Sequence, residues 1–217
     1  MRAQCILSRP PSMLPIDIPP GTTGRALLET VLPAAHRELV PKTGAGGGDF
    51  SMSVRVDGGD SFHYDFRGAD VTVHPGEAPA HLFLAVDAST LDRFVADWSG
   101  PRRYFPTFAP RGGVSLLTDP RIMKRLVLVH GRIELALPDF EGGRAAIVVG
   151  AHGGKRKEID ASSPDTVIEA KMALFDDLLA GRVSPEDALA GDGVTLRGKR
   201  LVAMQFAFAL APFFPVG

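Results

Sequence analysis

The stretch LFDDLLAGRVSPEDALAGDGVTLRG, residues 174–198, decides the fold. Leu174, Phe175, Leu178 and Leu179 fall at helical spacing and the run ends in a glycine-containing turn at Gly181. A short second helix starts near Pro185, and Gly193 and Gly198 bracket a strand, Val194-Thr195-Leu196-Arg197. Upstream, DTVIEAK reads as a strand feeding the first helix. Downstream, LVAMQFAFALAPFFPVG reads as a buried closing helix and tail, stopped by Pro212 and Pro215.

The same order occurs earlier in the chain. HLFLAVDASTLDRFVADW and the residues after it align with this region at an offset of 84, falling to 80 beyond the intervening loop. Leu84 then falls on Ile168, Leu91 on Phe175, Phe94 on Leu178, Val95 on Leu179 and Leu116 on Leu196. Before the first copy, FSMSVRVD, SFHYDFRG and ADVTVHP alternate apolar with polar residues, the period of a half-buried antiparallel meander. Before the second, GRIELALPDF, RAAIVVGAHG and KRKEID supply three more strand-like segments. In the first copy Ser89 or Thr90 caps the helix of STLDRFVADW, a loop PRRYFPTFAP follows, and GVSLLT leads to a helix with Pro120 in its first turn.

The expected class is α+β: an antiparallel sheet covered by helices, each copy running β-β-β-β-α-α-β-α. Residues 1–21 form a proline-rich arm, 22–130 a first unit and 131–217 a second. The first unit opens with an amphipathic helix, RALLETVLPAAHRELV, kinked at Pro33 and joined to the strands by the glycine linker 44–48.

Residues 174–198 resemble the most recognisable part of sterol carrier protein type-two domains, with Leu178-Leu179-Ala180-Gly181, Ser184 to Leu189 and Gly193 to Gly198 in the places of its helix end, short helix and strand. The resemblance implies an apolar cavity between sheet and helices that holds acyl chains, sterols or acyl-CoA. It also implies the lining: Leu91, Phe94, Val95, Phe105, Phe108 and Met123 in the first unit, and Leu174, Phe175, Leu178, Leu179, Met204, Phe206, Leu210 and Phe213 in the second. Helical spacing alone makes such residues ordinary core. Phe206, Leu210 and Phe213 form a stripe expected to cap a cavity, close the gap between copies, or make a homodimer patch.

The remaining features exclude more than they indicate. Lys plus Arg is 24 against 25 Asp plus Glu, a net charge of −1 that gives no footprint for nucleic acid. Cys5 is the lone cysteine, so no intramolecular disulfide or cysteine zinc cage forms, as in a reducing cytoplasm. The N-terminal apolar stretch is too short for a signal-peptide core, and no run reaches the roughly 18 apolar residues of a transmembrane segment. His36, His63, His74, His81, His130 and His152 never approach a close metal-ligand spacing. In VGAHGGKR, Val149 and Arg156 replace the first glycine and the Ser or Thr of a phosphate loop, so a hairpin turn is the better reading. Asp176 and Asp177 are adjacent on a helix, do not face each other, and are expected to be solvated.

The expected function is non-catalytic binding of an apolar small molecule, with no cofactor, no metal and no catalytic residue. Two alternatives stand beside it: an enzyme using Arg102, Arg103 and Tyr104 on a hydrophobic metabolite, and an interaction module whose cavities are filled.

Overall fold

The computed structural model describes residues 18–43, 49–99, 118–140, 143–179 and 182–213. Phe105, Phe108, the cluster Arg102, Arg103 and Tyr104, and all of GVSLLT but Thr118 lie outside these residues, as do the side chains of Leu179 and Phe213. The first helical segments are α1 (Gly24–Ala26), a π turn (Leu27–Val31) and α2 (Leu32–Thr43). Pro33 has no N–H to give the preceding turn, and that turn is the wide one, closed by Leu32 N–H on the Leu27 carbonyl. Strands β1 (Phe50–Asp57), β2 (Phe62–Arg67), β3 (Asp70–Pro75) and β4 (Leu82–Asp87) follow, then α3 (Ala88–Ser99) and α4 (Pro120–Leu126). Next come β5 (His130–Leu137), β6 (Ala145–His152), β7 (Thr166–Ala170), α5 (Met172–Leu179), α6 (Pro185–Ala190), β8 (Val194–Gly198), α7 (Arg200–Leu210) and a 3₁₀ turn (Ala211–Phe213).

Caps follow the local chemistry. The Ser184 hydroxyl accepts from Asp187 N and the Asp119 carboxylate accepts from Arg121 N, each with proline at the next position. The cap of α3 is neither Ser89 nor Thr90. It is Asp87, whose carboxylate takes the Thr90 N–H at 2.8 Å and both hydroxyls, because the helix starts at Ala88.

The strands form one sheet in the order β3-β2-β1-β4-β6-β5-β7-β8. It is mixed rather than antiparallel: β1 runs parallel to β4 and β5 parallel to β7, while every other neighbour is antiparallel. For β1 and β4 the reason lies in residues 76–81. β3 ends at the far end of the sheet from the start of β4, so the chain must return, and it does so as a strap along the polar side of β1. Ser53 Oγ donates to the Ala78 carbonyl at 2.7 Å, Ser51 N donates to His81 Nδ1 at 2.9 Å, and Arg55 pairs with Glu77. Ser51 and Ser53 are consequently fully buried, so β1 is covered on both faces and not on one.

KRKEID does not form the expected strand. It contributes an isolated bridge, Lys157 to Ala80 on the strap, and the place beside β6 is taken by β4. Thr166 and Met172, which open β7 and α5, each lie 84 residues after Leu82 and Ala88, which open β4 and α3.

The main core fills the helix side of β1, β2 and β4. Phe50, Met52, Val54, Tyr64, Phe66 and Leu84 meet Leu27, Leu28, Leu32 and Leu39 there, and Met123, Val95 and Phe206 join them. The Tyr64 hydroxyl donates to the Leu28 carbonyl at 2.8 Å in the π turn, and burial pushes its ionisation well above the ordinary tyrosine range. His36 is fully buried, its ring nitrogens 2.9 Å from the Thr118 carbonyl and 3.2 Å from that of Gly68, so it ties α2 to two chain turns.

Candidate apolar groove

On strands β5 to β8 the alternation that points residues to the helix side continues, but among the described residues the cover over the middle of these strands is thinner. Ile147 is in register with Leu135, Leu135 with Ile168, and Ile168 with Leu196, one unbroken aliphatic row across four strands. All four side chains are only half-buried, whereas their counterparts on β1 and β4 are buried. At about 4.8 Å per strand the row spans about 14 Å. Ile147 and Ile168 touch the main core from its edge, and among the described residues Leu135, at the centre, belongs to neither of the two packed clusters.

The walls come from three helices. A second cluster joins Phe94, Leu137, Phe140, Ala145 and Met172, with Trp98, Ile147, Phe175 and Leu210 packed against it. Phe94 stacks on Trp98 at 5.6 Å and lies 4.9 Å from Phe140, and the Arg93 guanidinium sits 5.0 Å over the Phe140 ring. Leu174 and Leu178 on α5 are half-buried, and Leu174 leans on Gly193, where any Cβ would meet its Cδ2 at 2.9 Å. α7 crosses the other ends of β5 and β7: Val202 packs over Gly131, and the Lys199 carbonyl accepts from Thr166 Oγ1 at 2.7 Å.

The lining residues expected from sequence therefore separate. Phe94, Phe175 and Leu210 come together beside the row, with Leu174 and Leu178 nearby on α5. Val95, Met123 and Phe206 are interior to the main core. Leu91 lines a different hollow of about 230 Å³, between α1 and α3, whose rim carries Arg25, Asp60 and Asp92. Met204 faces outward, 37% exposed. Leu135, Ile147, Ile168 and Leu196 are not among the lining residues expected from sequence; the alternation of GRIELAL and its neighbours is the signal that marks them. Asp176 is not solvated: it is buried and paired with Arg182 at 2.8 Å, and the same guanidinium holds Asp177.

The strap side is polar and histidine-rich. Ser53, His63 and Asp65 stand in a line there, with Ser53 Oγ 2.7 Å from His63 Nδ1 and His63 Nε2 3.6 Å from Asp65. The line does not present a nucleophile: Ser53 is 0% exposed, and its proton is committed to the Ala78 carbonyl. Asp65 also pairs with Arg156 at 2.8 Å, fastening the segment after β6 to β2. Burial holds the His63, His81 and His152 imidazoles below their ordinary range. Among the described residues no group of three His, Cys, Asp or Glu side chains is placed to hold a metal ion, and no helix is long and apolar enough to cross a membrane.

No family model matches the chain and no curated protein does. Solved structures similar to part of it include palmitated SCP2L2 from Aedes aegypti, at 18% identity and TM-score 0.33 over 42% of this chain and 91% of that one. Sterol carrier protein domain 2 of Helicoverpa armigera is 20% identical, covering 42% and 71%, at TM-score 0.31. A conserved hypothetical protein from Thermus thermophilus is 25% identical, covering 44% and 78%, at TM-score 0.31.

Proposed function

We propose that the protein binds and carries, without catalysis, an apolar small molecule of the fatty acyl or sterol type, seated on the row Ile147, Leu135, Ile168 and Leu196. The observation that carries this reading is that this row is only half-buried, on a side of the sheet where its counterparts on β1 and β4 are buried. A contiguous aliphatic strip left uncovered costs free energy in water, and an acyl chain laid along it recovers that cost. Burying a sixteen-carbon chain contributes about 12 kcal/mol at 0.8 per methylene. Association costs of about 4 to 15 kcal/mol are set against this, so complete burial leaves at most about 8 kcal/mol, equivalent to a micromolar dissociation constant.

The chain is read as two sterol-carrier-like units, 22–130 and 131–217, behind the arm 1–21. The matching 84-residue spacing of β4-α3 and β7-α5 supports this. On that reading the first unit is filled by Tyr64, Phe66 and Leu84, and the second keeps the site, working in the cytoplasm. The test is native mass spectrometry of freshly purified protein, with extraction of the co-purifying lipid. A mass increment released as fatty acid or sterol is expected. A bare chain that also fails to take up a fluorescent fatty acid rules the reading out and favours the filled interaction module.

A further inference from the structure

We propose that the outer face of α7, together with the turn from α4 into β5, docks the protein on an anionic lipid surface. The inference rests on the apolar-ligand reading, since a carried lipid is exchanged with a bilayer. The large apolar side chains exposed among the described residues are Leu128 at 71%, Leu201 at 67%, Phe208 at 55% and Met204 at 37%. Three of them are one stripe of α7, spaced i, i+3 and i+7, about 10 Å long at 1.5 Å per residue. Val202, Ala203, Phe206 and Ala209 face the core from the opposite side. Gln205 lies on the outer stripe, and its Oε1 accepts from His130 N at 3.4 Å, which sets the Leu128 turn beside it. The four side chains therefore belong to one patch.

Charge selects the occupant. Residues 120–132 and 199–213 themselves hold no Asp or Glu, and the acids that face them are each engaged by a cation, Asp165 by Lys199 and Arg132, Asp160 by Arg132 and Asp119 by Arg121. Arg125 and Arg200 are exposed beside Leu128 and Leu201. Lys155 is exposed on the loop that Gly154 N pins to the Val127 carbonyl at 2.7 Å. Exposed apolar side chains flanked by the exposed cations Arg200 and Lys155 fit the boundary between acyl chains and phosphates. A two-fold pairing of the patch with a second copy would instead bring two cation-bearing rims together, with no described Asp or Glu within the patch to offset them.

The experiment is co-sedimentation of the full chain with phosphatidylcholine vesicles, with and without phosphatidylserine. Selective binding to the phosphatidylserine vesicles, weakened by salt, is expected. Leu201→Ser/Phe208→Ser should abolish it, and Lys155→Ala/Arg200→Ala should weaken it roughly fivefold for each charge removed. Both variants should keep the wild-type melting temperature and the uptake of a fluorescent fatty acid added without vesicles. Equal sedimentation with both vesicle types, or none with either, overturns the proposal. So does a dimer that Leu201→Ser/Phe208→Ser converts to monomer while vesicle binding is unchanged. Loss of uptake alone, in a wild-type chain that still binds vesicles, counts against the groove and leaves the surface standing.

Discussion

Leu135 and Leu84 are the same residue type on the same side of the same sheet, and they should respond oppositely to enlargement. Leu84 on β4 is buried in the main core, so Leu84→Phe forces a ring into filled space and should cost about 1–3 kcal/mol. Leu135 is half-buried, with Ile147 and Ile168 in register on either side and no place in a packed cluster. Leu135→Phe should therefore leave stability within about 0.5 kcal/mol of wild type, as for a surface substitution. The added ring would lie on the row and displace three or four methylenes of a bound chain, about 3 kcal/mol at 0.8 each, or about 100-fold in affinity. Urea denaturation measures the first quantity and fluorescent fatty-acid titration the second. If Leu135→Phe destabilised the protein as much as Leu84→Phe and left uptake unchanged, the row would be core and the groove would not exist.

Gly150→Ala places a Cβ 2.1 Å from the ring of Phe83 on the strap side and should cost about 1–3 kcal/mol; Phe83→Leu in the same chain should recover part of it, and strictly additive losses would contradict the contact. Tyr64→Phe leaves the buried Leu28 carbonyl without its 2.8 Å donor and should cost about 1–3 kcal/mol in thermal denaturation, and an unchanged midpoint would mean that the bond contributes nothing. His63, His81 and His152 have folded pKa values below the ordinary 6.5, so the unfolded chain takes up protons first as pH falls. Their contribution is whole above pH 6.5, declines below it, and levels off beneath the folded values. Urea midpoints should drop between pH 7 and the acid end of that window, with a shallower slope in His63→Asn; a flat profile would exclude the effect.

The elements were legible in the sequence where periodicity settles them. The alternation of Phe50, Met52, Val54 and Val56 gives the helix side of β1, and β7 and α5 open 84 residues after β4 and α3, although the helix start expected from Ser89 or Thr90 lies later than the observed one. Periodicity says which residues share a face but not what covers it. Ser51 and Ser53 alternate as solvent-facing residues do, yet a strap lies on them, and nothing local in PGEAPAH states where that strap returns. Leu135 alternates as Val54 does, yet one is left open and the other sealed. α7 is apolar nearly all round, so the inward direction of Phe206 was legible only as a stripe, while Met204 fell on the outer face. Truncation after Gly198 follows from the same geometry: it removes Val202, Ala203 and Phe206 from the core and so deletes structure as well as a cover.

The joining of the halves explains why the described residues cover the row on β5 to β8 less fully than β1 and β4. β4 pairs with β6 over five residues, so each half supplies the edge that the other lacks. The first half has α1, the π turn and α2 to lay over its strands, and Leu27, Leu28, Leu32 and Leu39 fill the space above β1 and β2. The second half begins at β5 directly after α4, with no opening helix of its own among the described residues. Its helix side is covered at one end by Val202 and Phe206 of α7, and at the other by Phe94 and Trp98 borrowed from α3. Between those ends no side chain of equivalent bulk arrives over Leu135 among the described residues, and the aliphatic row is only half-buried. The row thus lies where a full helical cover would sit, and the side chains that flank it come from both halves. An occupant seated there would bridge α3, α5 and α7 and stabilise the chain increasingly as its concentration rises above its dissociation constant.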